Sequence, residues 1–385
     1  MGRIEVCSDK ACGDVKESLN YASSGVDIET GDEASKILYE AAKKTWENRD
    51  GNIGEVIVPF DDFSGIRCVD VSNLPEGSFM SIGFDGVGTK VEIAQRMNRH
   101  DSIAFDLLAM VCDDAIVRGA EPVLVGSVLD VNSLGGNIKM LKELAKGYVE
   151  AAKDANVAIV NGELAELGSA VGGHGNFKYS WSSALIWFGR KDKLFTGKEV
   201  CVGDHIVAFR ENGFRSNGLS LVRKILESVH GSEWHDFELD GEKLGDLVLV
   251  PSKIYSRAVV SMHGGFKTKG SCKINGVSHI TGGGVPGKLG RVLRASGFGA
   301  DLDNLFEPCK IMKYCQKVGN VDAKEAYRTW NMGQGLLVIS PEPEKVILEA
   351  KKFGIDAQIC GKVVKKKGIR ILSRGVGGEK ELIFE

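Results

Sequence analysis

The chain has 385 residues, 43% of them hydrophobic and 26% charged, enough for two substantial cores in an ordinary globular protein. A formal net charge of −3 argues against the clustered basic surface that nucleic acid or an anionic membrane demands, so neither is expected as a partner. Met1 to Lys10 lacks the apolar core of a signal peptide, and no run approaches the ~18 apolar residues of a membrane span. The nine cysteines are scattered and lack metal-type pair spacing, so reduced thiols and a cytoplasmic location are expected.

Cys7 and Cys12 read either as a redox pair or as thiols of a disordered terminus. From Gly31 to Asn48 the helical spacing of Ala34, Ile37, Leu38, Ala41 and Ala42 predicts an amphipathic helix. Strands are expected at Phe79–Phe84, Val123–Val131, Val157–Val160 and Ser182–Phe188. They alternate with helices at Asp101–Arg118 and Ile138–Asp154, giving an α/β or α+β first domain of mixed strands flanked by helices. A polar, glycine-containing segment at Phe195–Lys198 marks a domain boundary. Beyond it come a strand at Asp204–Phe209, helices at Ser220–His230 and Pro251–His263, a glycine turn at Gly282–Gly287 and a strand at Gly335–Ile339. The basic run Lys365-Lys366-Lys367 reads as a solvated turn.

Three stretches carry chemistry. "SIGFDGVGTK", from Ser81 to Lys90, has glycines that let a backbone approach phosphate, with Thr89 and Lys90 as oxygen-directed groups. Its order fits neither the Walker A nor the dinucleotide fingerprint. The predicted helix at Asp101–Arg118 is apolar on most sides yet bears Asp106, Asp113 and Asp114. Asp106 and Asp113, seven residues apart, share one face at roughly 10 Å along the axis. Such carboxylates either pair with Arg96, Arg99 or Arg118 or bind a cation. Asp85 at a strand end and Glu163 beyond Val157–Val160 add the oxygen donors that Mg²⁺ on nucleotide phosphates requires. "HITGGGVPGK" imitates both nucleotide motifs, but Leu289 stands where a hydroxyl is needed and Pro286 removes a backbone donor.

In order along the chain, "GFDGVGTK", "DDAIVRGAEP", "NGELAEL", "RSNGLSLVRKIL", "HITGGG" and "AYRTWNMGQG" resemble the aminoimidazole ribonucleotide synthetase (phosphoribosylformylglycinamidine cyclo-ligase) family over roughly residues 20 to 385. The Asp-x4-Gly-Ala-x-Pro signature alone marks a wider ATP-binding superfamily that includes selenophosphate synthetase and thiamine-phosphate kinase. The resemblance implies a two-domain fold, with an extension at 1–19, an ATP- and metal-binding domain at 20–196 and a substrate domain at 197–385. It implies ATP-dependent ring closure in purine synthesis, acting on a phosphoribosyl substrate, in a homodimer. The alternatives are a related phosphoryl-transfer enzyme with another substrate, or a nucleotide-binding protein without turnover.

By the same resemblance Asp85, Asp106, Asp114 and Glu163 are expected to hold Mg²⁺ and ATP, and Gly86, Gly88, Thr89 and Lys90 to contact phosphate. Ser216, Asn217 and Gly218 with Thr281, Gly282, Gly283 and Gly284 are expected to contact substrate. His279 reads as an acid/base or phosphate donor, or as a structural histidine. Arg215 reads as a bidentate ligand for the substrate phosphate, or as a surface ion pair. The chain departs from the family pattern at Ala22 and Ser23, where a lysine and an acid are usual nearby, and at Asp113, which replaces Asn. Arg215 replaces His, and Asn161 and Leu164 alter a Gly-Gly-Glu-Thr run.

Overall fold

The computed structural model describes residues 28–57, 67–266 and 268–385. The expected extension at 1–19, Cys7 and Cys12, and the departures at Ala22 and Ser23 lie outside the described residues.

The first half is built on a four-stranded sheet in the order Ser78–Gly86, Tyr179–Arg190, Glu121–Val131, Ala158–Glu166. Only the last two strands run parallel, and the helix Ile138–Ala155 makes the crossover that a parallel pair requires. The helix Ile103–Ile116 lies beneath the sheet and is buried on nearly every side, as its apolar circumference dictates.

The second half holds a seven-stranded sheet in the order Gly276–His279, Gln334–Ser340, His205–Arg210, Ala357–Val364, Gly299–Leu302, Ile369–Leu372, Glu381–Phe384. Gln334–Ser340 is buried at every position, and its alternation divides two cores. Leu336 and Val338 join Phe209, Val259 and Val346 on one face; Leu337 and Ile339 join Phe214, Val222 and Leu289 on the other. The second of these clusters continues to Leu107 and Leu108, so the halves share apolar packing and meet along the helix Ile103–Ile116.

Three expected elements end elsewhere, each for a local reason. The third strand of the first half continues past Asn161-Gly162 to Glu166 through a bulge, so Glu163 lies within the ladder rather than in a loop after it. The helix expected over Pro251–His263 starts only at Ser256, because the segment before it is spent on hydrogen bonds to the Ile103–Ile116 helix and to Arg215. The glycine turn at 282–287 is half helix: Gly284–Leu293 is helical, and Pro286 falls in the first turn, where a missing N–H costs nothing.

Candidate active site at the junction of the two halves

Lys90 opens the helix Lys90–Met97, and its stem carries Nζ inward to Asp106 Oδ1 at 2.7 Å. Both side chains are wholly buried. The ammonium also donates to the Val250 carbonyl at 2.6 Å, and the Ser252 hydroxyl donates to Asp106 Oδ1 at 2.5 Å. Asp106 is therefore held by a cation 16 positions earlier and by the second half of the chain. The expected roles of Asp106 as a metal ligand and Lys90 as a phosphate ligand are corrected here. A buried carboxylate and ammonium neutralise each other, and neither faces solvent.

Two turns on along the same helical face, as the seven-residue spacing dictates, Asp113 is buried in the same way. Its Oδ2 accepts from the Arg215 guanidinium at 2.9 Å and its Oδ1 from the Tyr255 amide at 2.9 Å. Burial still pushes the Asp113 carboxyl up to about 7, with Arg215 opposing. Arg215 has φ +60°, a left-handed backbone that turns its side chain into the protein. It is fully buried, and donates to Glu211 at 2.8 Å, to the Lys253 carbonyl at 2.8 Å and to His279 Nε2 at 2.9 Å. Burial opposes its charge, but Glu211 and Asp113 outweigh that and raise its pKa. With its charge spent on internal carboxylates, Arg215 is neither a substrate ligand nor a surface ion pair, which corrects both expectations.

The guanidinium can only donate, so His279 Nε2 must accept and the ring proton must sit on Nδ1. Nδ1 then donates to Asp114 Oδ1 at 2.8 Å. Burial, with the neighbouring Arg215, holds the His279 pKa down to about 4, and the ring is neutral near pH 7. Asp114 is the outer end of this chain, with its side chain 57% exposed. Burial would raise its carboxyl, but the His279 hydrogen bond and the charges of Lys288 and Arg215 prevail and lower it.

Asp85, at the end of its strand, is an exposed residue whose Oδ1 accepts from the Gly86 amide at 2.7 Å. Burial of the carboxyl raises its pKa, and the Asp114 charge adds to this against Lys288. Lys288 in turn is lowered by burial and by Arg291, against the pull of Asp114 and Asp85. Two carboxylates and one ammonium thus share one field at the junction.

Glycine-bearing turns surround them. An added Cβ at Gly88 would stand 4.0 Å from the Ser216 carbonyl, and Asn217 Oδ1 accepts from the Gly282 amide at 3.0 Å. Gly88, Thr89, Gly282 and Gly283 are exposed, and Thr281 and Ser216 partly so. Gly284 is obligatory: its φ is +59° and a Cβ would lie 1.9 Å from the Tyr327 carbonyl. Gly218, at φ +72°, caps the helix Leu219–His230, and Trp330 packs against it.

The family model for the AIR synthase related protein N-terminal domain matches residues 67–182, and that for the C-terminal domain matches residues 202–373. A phosphoribosylformylglycinamidine cyclo-ligase of Methanocaldococcus jannaschii is 33% identical over 380 residues, covering 95% of this chain and 100% of that protein. The chain belongs to the cyclo-ligase family. Among solved structures, E. coli HypE, a hydrogenase maturation protein, superposes with a TM-score of 0.61 at 18% identity, covering 93% of this chain and 97% of that one. A HypE in complex with ATP gives 0.53 at 15% identity, covering 83% and 88%. At such identities the likeness is one of fold, and the expected two-domain cyclo-ligase architecture holds.

Within this cyclo-ligase framework the departures Asp113 and Arg215 are each other's partners, 2.9 Å apart. Glu163 does not join Asp85 and Asp114. Asp85 shares a row with Ser183, Ser127 and Gly162, and Glu163 sits in the next row with Ser182 and Val128. Alternation sends it to the opposite face, and three strand spacings put it roughly 14 Å away laterally. The expectation that Glu163 shares one metal site with Asp85 and Asp114 is therefore corrected. Lys288 does not stand out in the sequence, because "GGGVPGK" fails as a Walker motif; its signal is a lysine one turn into a helix that begins at glycines.

Proposed function

We propose that this cyclo-ligase family member uses ATP to close the imidazole ring of formylglycinamidine ribonucleotide, giving aminoimidazole ribonucleotide. The observation that carries the reading is the convergence of Asp85, Asp114 and Lys288 at the junction, beside the turns of Gly88, Asn217 and Gly282. An amide oxygen leaves poorly. ATP converts the formamide oxygen into a phosphate ester, and the amidine nitrogen attacks that carbon and expels phosphate. The protein's task in such a transfer is positioning and charge neutralisation.

Asp85 and Asp114 fit Mg²⁺, a hard ion that takes one or two carboxylates and completes its shell with phosphate and water. When bound, the ion would neutralise phosphate charge. The chain's own groups do the rest. Lys288 adds a positive charge beside the acids, and His279 fixes Asp114 through a proton held on Nδ1. Arg215 holds His279 from behind. The exposed Gly282 and Gly283 at the start of the Gly284–Leu293 helix admit a ligand close to the backbone.

The same reading includes a domain boundary near residue 196, in the stretch between the sheets, and a homodimer. Phe84 is 74% exposed on the sheet face opposite the helices, with Ile82 and Val128 beside it, which supports self-association there. A cytoplasmic location is supported by seven unpaired cysteines among the described residues. No helix among those residues is long and apolar enough to cross a membrane. Steady-state assays with ATP, Mg²⁺ and the ribonucleotide test the activity: ATP consumption without a cyclised product would favour another substrate, and binding without consumption would favour a nucleotide sensor.

A further inference from the structure

The helix Gly284–Leu293 has a second flank. Gly287, Arg291 and Arg294 recur at i, i+4 and i+7, and all three border a cavity of about 650 Å³. Arg328, near the end of helix Ala323–Thr329, and Lys367, just before strand Ile369–Leu372, close in from other elements. Lys367 is thus more than part of the solvated turn that its sequence suggests. Leu293, Phe298, Ile369 and Phe384 give the cavity apolar walls, and Arg328 lies 5.5 Å over the Phe384 ring.

Among the described residues none of these four cations pairs with a carboxylate, although Glu385 stands on the rim as the single acid. That is unusual for a chain whose net charge is −3 and whose other arginines are largely ion-paired. Like charges gathered around one concavity repel, and the group that relieves them is an anion. Guanidinium forks match phosphate oxygens in pairs, and the cavity falls within the range of small-molecule sites.

We infer that this cavity binds the phosphate end of a phosphorylated sugar, and, resting on the cyclo-ligase reading, that this is the 5′-phosphate of the ribonucleotide substrate. Lys288 and Arg291 are three residues apart on the same helix, a rise of roughly 4.5 Å. One small ligand can reach both flanks, with its phosphate among the arginines and its reacting end toward Asp114.

The test uses the full chain carrying Arg294→Ala with Lys367→Ala, both exposed positions, with unfolding temperature as the control for fold. The double variant should raise the KM for formylglycinamidine ribonucleotide by about tenfold or more, with the KM for ATP within about twofold of wild type. Calorimetry should show ribose 5-phosphate affinity falling in parallel, while ribose without phosphate binds neither protein. Arg294→Lys in the single variant should retain part of the affinity. Unchanged ribose 5-phosphate affinity would overturn the site. A fall in that affinity with an unchanged substrate KM would overturn the substrate assignment and make the cavity a site for a separate phosphorylated effector. If wild type never cyclises the substrate, the activity reading fails, and the ribose 5-phosphate titration still decides the cavity.

Discussion

Replacing Arg215 by methionine keeps an unbranched apolar stem and deletes the guanidinium. The loss can be read from its contacts: two carboxylates, the Lys253 carbonyl and the His279 lone pair all lose their donor inside the protein. Leaving buried charge uncompensated costs roughly 3–5 kcal/mol, which for a chain of this size lowers the unfolding temperature by about 4–6 °C. Asp113→Asn alone should cost far less, about 1 kcal/mol, because Arg215 keeps Glu211 and burial already disfavours the Asp113 charge. Adding Asp113→Asn to Arg215→Met should then return about 1–2 kcal/mol, a coupling expected of groups in direct contact. Denaturant titrations of the four proteins measure this cycle. A cost under about 1 kcal/mol for Arg215→Met, or a double variant no more stable than that single variant, would refute the buried-network account.

Asp85→Asn and Asp106→Asn separate the open acid from the buried one. The first should cut turnover by at least about 100-fold with little change in stability, and the second should destabilise the fold by roughly 3 kcal/mol. Wild-type turnover in a folded Asp85→Asn enzyme removes Asp85 from the site. His100 is 1% exposed, and burial holds its pKa down to about 4. The folded state thus binds fewer protons than the unfolded one, and stability present above pH 6.5 is lost as pH falls toward 4. That is about 2 kcal/mol between pH 7.5 and 5. His100→Phe should flatten this part of the slope, whatever the offset from the lost Tyr179 hydroxyl contact; an identical pH profile would place His100 outside the acid transition. Phe84→Glu should shift the sedimentation of the wild-type assembly toward monomer, and an unchanged sedimentation coefficient would move the interface elsewhere.

The first sheet and the acid-bearing helix are legible because alternation and apolar circumference are local signals, whereas of the seven strands of the second sheet only His205–Arg210 and Gln334–Ser340 are expected from sequence. Ser78–Gly86 and Ile103–Ile116 needed no distant information. The fate of each acid was not legible, because its partner arrives from far along the chain. Asp113 is neutralised by Arg215, 102 positions later, and Asp106 accepts from Ser252, 146 positions later. Arg215, next to a polar, half-buried turn, looks like a ligand until its left-handed backbone turns it inward. The place of Glu163 is hidden because the strand runs on through Gly162, and one residue of strand parity decides which face a carboxylate sees.

The central claim is a phosphoryl transfer to the formamide oxygen, organised by Asp85, Asp114 and Lys288. Formylglycinamidine ribonucleotide labelled with ¹⁸O in the formyl group, turned over with ATP and Mg²⁺, tests it directly by mass spectrometry of both products. The expected result is aminoimidazole ribonucleotide without label and inorganic phosphate carrying one ¹⁸O per turnover, with both signals lost in Asp114→Asn. Unlabelled phosphate, or hydrolysed ATP with no aminoimidazole ribonucleotide, would contradict the claim.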